Sequence, residues 1–437
     1  MRALTVPKVG VCRHFDIAGT KTGSLALGLL TASACGGRAL NVLVTDTRSP
    51  GPVVQRIDGA PVDATPVDRV EVDAAAPPSA LSSMSGLIAV GTPEGVFVGS
   101  RSQADTLSAV LVLADSGEPQ STGSVSLMAR RGSGGLLVYA ENGLFHDSDG
   151  ALLMSPLSPV LAGKPVTSLD AFGTGESEEL WMVAAGEAAH ASAGHLTTFS
   201  IGDGAAVPEA VIAVGTESAI VAQGGKAYLL DLDQLSATLI AEGLGRVNGF
   251  ARSEDASVYL ASESGLLERT RAGDVSLRTF APAGSTPVNV LGVSAAFGSV
   301  VAETSQWLVH VDPSGAATLG SAASPRPGLG VAVDANGDTW SADQGKLFRV
   351  LTGRPVSYAS DVKPFFDRHC MSCHRTGTLG APVRNFDDFE TAKSYSALIA
   401  RRLQAIGIPP MPPAYVETLT AADYAVVIRW IGGGLQP

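Results

Sequence analysis

Positive charge is scarce in this chain. Its 437 residues hold 30 Lys and Arg against 42 Asp and Glu, a formal net charge of −12. Nucleic acid is bound through clustered Lys and Arg, so this balance excludes it as a partner. Long apolar runs are also lacking. None approaches the roughly 18 residues of a membrane-spanning helix, although 45% of the residues are hydrophobic. That combination reads as globular, with length for two or three domains that each bury a core. Cysteine occurs only at Cys12, Cys35, Cys370 and Cys373.

Familiar catalytic signatures are missing as well. There is no recognisable Ser/His/Asp set, nucleophile elbow or phosphate-binding glycine loop. His146, His190, His195 and His310 are scattered and read singly as turn or surface residues. Turns such as Asp334-Ala335-Asn336-Gly337-Asp338 lack the spacing and closing Glu of an EF-hand loop. They read as tight-turn chemistry instead.

What is present begins near the C-terminus with Cys370-Met371-Ser372-Cys373-His374. A C-x-x-C-H run is the pattern by which a chain attaches c-type haem. The two thiols share one face of a single turn and can add to the porphyrin vinyl groups, while the next His ligates the iron. A zinc site and a redox C-x-x-C pair are the alternatives. Zinc wants four ligands, and only His369 and distant histidines remain to supply them. A redox pair wants a βαβ context, and none is visible. Residues 1–34 read as a signal peptide: Arg2, Lys8, Arg13 and Lys21 precede the apolar stretch Leu25 to Leu30. Thr31-Ala32-Ser33-Ala34-Cys35 resembles a bacterial lipobox, which implies cleavage before Cys35 and lipid on its thiol; an ordinary secretory cleavage nearby is the alternative. Cys12 would leave with the signal, so no thiol remains for a disulfide or metal cluster.

Residues 35–84 are rich in Pro, Ala, Val and Asp and carry few large apolar side chains, so ordering them costs more than burial returns. They read as a flexible linker from the lipidated end. The exception is residues 67–72, Val67-Asp68-Arg69-Val70-Glu71-Val72, which alternate like a strand. Residues 85–354 repeat at roughly 38 to 40 residues, a period that indicates a propeller or solenoid. The marker is a short strand led by Gly, Lys or Gln, as in Gly95-Val96-Phe97-Val98 and Gly265-Leu266-Leu267. Further copies are Gly143-Leu144-Phe145, Gly194-His195-Leu196, Lys226-Ala227-Tyr228, Gln306-Trp307-Leu308 and Lys346-Leu347-Phe348. Seven such units match an all-β seven-bladed propeller. Val331 to Trp340 resembles an NHL-type or lyase-type repeat, which implies fold and not activity. The seventh unit has length for only three strands, and 67–72 is expected to supply the fourth.

Residues 355–437 resemble a small class I cytochrome c, on the C-M-S-C-H run and the helix signals around it. Ser360 is the expected N-cap of a helix leading to Cys370, and Thr420 that of a C-terminal helix from Ala421 to Ile431. The resemblance implies a small all-α domain in which these helices cross, with Phe366, Tyr424, Ile428 and Trp430 at the crossing. Pro409-Pro410-Met411-Pro412-Pro413 is a rigid strap that can hold one thioether towards iron. Met411 as a gap-filler in a surface loop is the other reading. The M-P-P followed by Leu-Thr-x-x-Asp resembles the family's distal loop, and this implies Met411 as sixth ligand. Arg384, Arg401 and Arg402 are surface charges or propionate partners. From residue 355 onward there are eight Lys/Arg and seven Asp/Glu, so nearly all the negative charge lies upstream.

The expectation is therefore an electron carrier of the bacterial envelope, facing the periplasm or held on the outer membrane. It would carry one covalent haem c, bound by Cys370, Cys373, His374 and Met411 with iron on His374 and Met411. It would meet the membrane only through lipid on Cys35, and pass electrons to redox partner proteins. Two rivals remain: a propeller that oxidises a small molecule with a quinone cofactor, and a propeller that docks a protein or glycan. Convergent His, Arg and Asp in the central funnel would favour the first, and a bare funnel the second.

Overall fold

The protein is described by a computed structural model. It covers residues 37–44, 55–58, 69–72, 76–84, 87–99, 107–113, 119–131, 135–148, 151–173, 179–192, 195–201, 206–280, 288–305, 307–312, 315–321, 330–335, 337–343, 345–350, 356–375, 385–403, 411–412, 419, 421–432 and 435–437.

Seven four-stranded antiparallel blades form an all-β propeller. Their innermost strands are Ala80–Met84, Val125–Arg130, Val166–Phe172, Pro208–Ala213, Val247–Arg252, Val290–Ala296 and Val331–Val333. Each neighbours the next around the axis, and the last neighbours the first, so the ring is closed. Blade four shows why these residues form strands. It runs Pro208–Ala213, Ser218–Gln223, Lys226–Asp231 and Ser236–Glu242. Val211, Val221 and Leu230 point to blade three, where they meet Trp181 and Phe199. Ile212 and Ile220, one residue out of phase, point to blade five and meet Leu260 and Leu267. Both sheet faces are buried, which is why the strands are near-continuous apolar runs without a polar alternate. Each such burial stabilises by roughly 1.5–3 kcal/mol.

The repeat marker has a local cause. Ser262 Oγ donates to the Gly265 carbonyl at 2.7 Å, and Thr92 and Thr304 make the same bond to Gly95 and Trp307. Each ties the end of a second strand to the start of a third. Gly265 sits at φ +142°, and a Cβ there would fall 2.4 Å from the Arg278 carbonyl oxygen, so no larger residue fits without moving backbone. Six markers begin third strands, but in blade three the third strand is Glu187–Ser192 and the marker falls on the fourth, His195–Ile201.

The seventh blade has three strands of its own. Its fourth, Arg69–Val72, pairs antiparallel with Lys346–Val350, with Arg69 opposite Val350 and Val72 opposite Leu347. Val72 is buried with Ile88, Val90, Ala332, Trp340 and Leu347 between blades seven and one.

The reading of 35–84 as a flexible linker needs correcting. Gly37–Val44 lies parallel to the outer strands of blades three and four and joins them in one nine-stranded sheet. Gln55–Asp58 lies parallel to Val275–Thr279 on blade five, and Ala80–Met84 already belongs to blade one. The physical reason is the unpaired outer edge of each blade, which offers backbone donors and acceptors to any extended segment. A segment with little apolar content can satisfy that edge through its main chain alone.

Beyond Val350 the described chain is helical: a π-type turn Tyr358–Val362, then Lys363–His369, Met371–His374, Phe389–Ser394, Ser396–Leu403 and Ala421–Gly432. No helix among the described residues is long and apolar enough to cross a membrane. The cap is Ser357, not Ser360: Ser357 Oγ accepts from Ser360 N–H, and Asp361 accepts from Ser357 N–H at 2.9 Å. Thr420 lies outside the described residues. Phe366 and Trp430 are buried together with Tyr358 and Val427. Ile428 instead packs on Ala296, Phe297 and Ala335 of the propeller, with Ala400 beside it; the side chain of Tyr424 is not described. Arg429 lies over Gly337, where a Cβ would come 2.5 Å from its Nη2.

Deleting residues 69–72 should open the ring by removing a strand and the buried Val72. The expected fall in the propeller melting temperature is on the order of 10 °C, read by differential scanning calorimetry. An unchanged transition would show that the ring closes without this strand.

Candidate functional site

Two places carry chemistry. The first is the turn at Cys370. The amide of Cys370 donates to Phe366 O at 2.8 Å, and those of Cys373 and His374 donate to Cys370 O at 3.2 and 3.0 Å. The chain thus passes from Lys363–His369 into Met371–His374 with one kink at Cys370, whose φ is −120°. Cys370 is half-buried, Cys373 exposed and His374 half-buried, so solvent reaches all three residues. The His374 ring lies 5.1 Å from Phe386, and Phe386 stacks on Phe366 at 5.1 Å. Tyr358 Oη donates to the Phe386 carbonyl and fixes that ring. His369 points the other way: it is buried against Phe365, with Nε2 3.3 Å from Asp423 Oδ1 on the C-terminal helix. The unit is clipped at its ends, since Gln436 O accepts from Tyr358 N–H at 2.9 Å and Trp430 Nε1–H at 2.8 Å.

Met411 is 43% exposed, one of three large apolar side chains so placed among the described residues. Its amide donates to Arg402 O at 3.1 Å. Pro409, Pro410 and Pro413 of the strap and Arg384 lie outside the described residues, as do Cys12 and Cys35; of Arg401 only the backbone is described. Among the described residues no group of three or more His, Cys, Asp and Glu gathers around a point that could hold a metal ion.

The second place is the propeller channel, about 640 Å³ and lined by the seven inner strands. Its far mouth, where the inner strands end, is charged. Arg252 donates Nη1 to Ala213 O at 2.8 Å and Nη2 to Ala171 O at 2.6 Å. Its guanidinium also lies 3.3 Å from Asp170 Oδ2. Asp170 accepts from Ala213 N–H at 2.9 Å, so one ion pair staples blades three, four and five. Burial pushes the Asp170 carboxyl above the usual carboxylate range, against the pull of Arg252 and two backbone amides. Arg130 meets Glu254 there at 2.5 Å. Sequence reading missed all four residues. The available signal was a charge near the end of an inner strand, as in Met128-Ala129-Arg130 and Phe250-Ala251-Arg252, where other repeats carry small or apolar residues.

The histidines of the repeats do not reach this channel. His190, expected in a turn or on the surface, is buried on a strand, 3.0 Å from Glu179 and 4.6 Å from the Trp181 ring. The Asp334 turn is tied internally: Oδ1 accepts from Asp338 N–H and Oδ2 from Trp340 Nε1–H, each at 3.1 Å.

No protein-family model matches the chain, and no curated protein matches its sequence. Solved structures do resemble it. Streptogramin B lyase is 10% identical over 64% of this chain and 96% of its own, at a TM-score of 0.46. The WD40 repeats of RRP9 are 12% identical over 66% and 99%, at 0.47. The Neurospora crassa Pan2 WD40 domain is 10% identical over 67% and 98%, at 0.43. At these scores the likeness carries no argument, and the propeller rests on the chain's own strand order.

Arg252→Ala should leave Asp170 buried without its counter-ion and cost about 3–5 kcal/mol. Adding Asp170→Asn should recover part of the loss, because the neutral amide still accepts from Ala213 N–H. Urea midpoints of the three proteins check this; a single variant as stable as the parent would contradict the staple.

Proposed function

We propose that residues 355–437 form a class I cytochrome c unit with one covalent haem c, and that the protein is an electron carrier of the bacterial cell envelope. The observation that carries this reading is the turn from Cys370 to His374, which holds two thiols and an imidazole within five consecutive residues, the imidazole 5.1 Å from the Phe386 ring. These residues fit the group. Cys370 and Cys373 hold the porphyrin edge through thioethers, and His374 is the proximal ligand. Phe386 behind the imidazole and Phe366 behind Phe386 keep water from that face. Met411 is the distal ligand: it is 43% exposed, a large apolar side chain that a porphyrin face would cover. His369 is excluded from that role by its contact with Asp423. When bound, the haem accepts and passes one electron, at a potential that His/Met ligation raises.

In this reading Cys35 carries lipid, the only hold on the membrane, and the strand Gly37–Val44 begins two residues later on the rim of blades three and four. Redox proteins of the same compartment are the partners; nucleic acid is not. A second reading has one observation in its favour: the channel end is not bare but carries Arg130, Arg252, Asp170 and Glu254. There the propeller handles a small molecule and delivers its electrons to the helical unit.

The test is the absorption spectrum of the chain matured in an oxidising envelope. The cytochrome resemblance implies c-type haem bands and a weak far-red band in the ferric protein from sulfur on iron. Met411→Ala should abolish the far-red band, lower the potential and admit external ligands. An unchanged spectrum in that variant rejects Met411, and a colourless parent rejects the haem.

A further inference from the structure

The far mouth of the channel holds a guanidinium that the fold does not fully use. Arg130 ends the inner strand of blade two, and its Nη1 donates to Glu254 Oε1 of blade five at 2.5 Å. Two blades lie between these partners in a ring of seven, so the contact crosses the axis. Glu254 is the occupied member: it also accepts from Phe297 N–H at 2.8 Å and Gly298 N–H at 3.2 Å. Arg130 is not. Among the described residues its one hydrogen bond is the bond to Glu254, which leaves four of the five guanidinium donors. Its side chain is 20% exposed, against 3% for Glu254.

Arg252 gives the contrast. Its fork is taken up by two backbone carbonyls and Asp170, as a purely structural arginine requires. A cross-brace to Glu254 explains one donor of Arg130 and not the rest. The shaft leading to Arg130 is mixed: Leu127 and Phe250 give it apolar wall, beside polar residues such as Ser126, Thr167, Asn248 and Ser294. A shaft with Leu127 and Phe250 in its wall that ends on a partly used arginine fork suits an acid with an apolar body. The fork meets two carboxylate oxygens at once, and a partly buried pair is screened less than one in open water. Phe297 lies under Arg130, 5.1 Å from its guanidinium carbon, and packs on Ile428 of the C-terminal helix. The bound acid would therefore sit one side chain away from the helical unit.

We propose that the propeller channel binds a small organic carboxylate with an apolar body, its carboxylate on Arg130 and its body along Leu127 and Phe250. The proposal does not depend on the haem, because binding is read by heat and not by colour.

Isothermal titration of the full chain with 3-phenylpropionate tests it, with 3-phenylpropionamide as the neutral twin and inorganic phosphate as a bare anion. The acid should bind about tenfold or more tighter than the amide, and phosphate should compete poorly. Arg130→Gln should remove the preference for the acid. Equal binding of acid and amide, no binding of the acid at millimolar concentration, or displacement by phosphate as strong as by the acid overturns the proposal. So does Arg130→Gln binding the acid as the parent does while melting at the parent's temperature. Should that variant not fold, the comparison of acid and amide on the parent decides alone.

Discussion

Ser83 of blade one donates its hydroxyl to the carbonyl of Val333 in blade seven at 2.7 Å, and accepts Val333 N–H at 3.3 Å. The two residues are 250 positions apart in the chain. Everything between them must be stacked correctly before this bond can form, and every blade buries both faces only when it does. A propeller left open would expose two apolar blade faces and a row of unpaired backbone groups. Arg69–Val72 completes the join from the outside, and Val72 from that strand lies in the same apolar cluster as Ile88 and Trp340. The N-terminal strands carry the principle round the rim, covering the outer edges of blades three, four and five.

The closed ring sets the channel mouth beside the C-terminal helix. Inner strands that all end at one mouth bring Arg130, Asp170, and the pair Arg252 and Glu254 together from three segments of sequence. The loops leaving that mouth in blades six and seven, at Phe297 and Ala335, are the ones on which the C-terminal helix rests. That helix has two duties on two faces: Val427 and Trp430 close the core behind Cys370, while Ile428 and Arg429 sit on the propeller. Phe297 thus touches both the channel mouth, under Arg130, and the C-terminal helix, at Ile428.

The parts legible in the sequence were those with a local cause. Gly95 and Gly265 mark strand starts because a Thr or Ser three residues earlier bonds to that carbonyl and the turn needs a positive φ. Cys370, Cys373 and His374 come together because five consecutive residues in one turn cannot do otherwise. What stayed hidden depends on distant partners. Gly37–Val44 shows no strict alternation, and its pairing partners, the edges of blades three and four, lie more than 150 residues away. Ile428 and Trp430 are two residues apart on one helix, and nothing in the sequence says that the propeller waits beneath the first. Arg130 and Glu254 are 124 positions apart, and only the curvature of the ring makes them meet.

The most direct test is the intact mass of the chain after export and maturation in an oxidising envelope, compared with Cys370→Ala/Cys373→Ala matured in the same way. A covalent increase of one haem on the parent and none on the double variant is the predicted result. A parent without that increase, or a double variant that keeps it, contradicts the cytochrome reading.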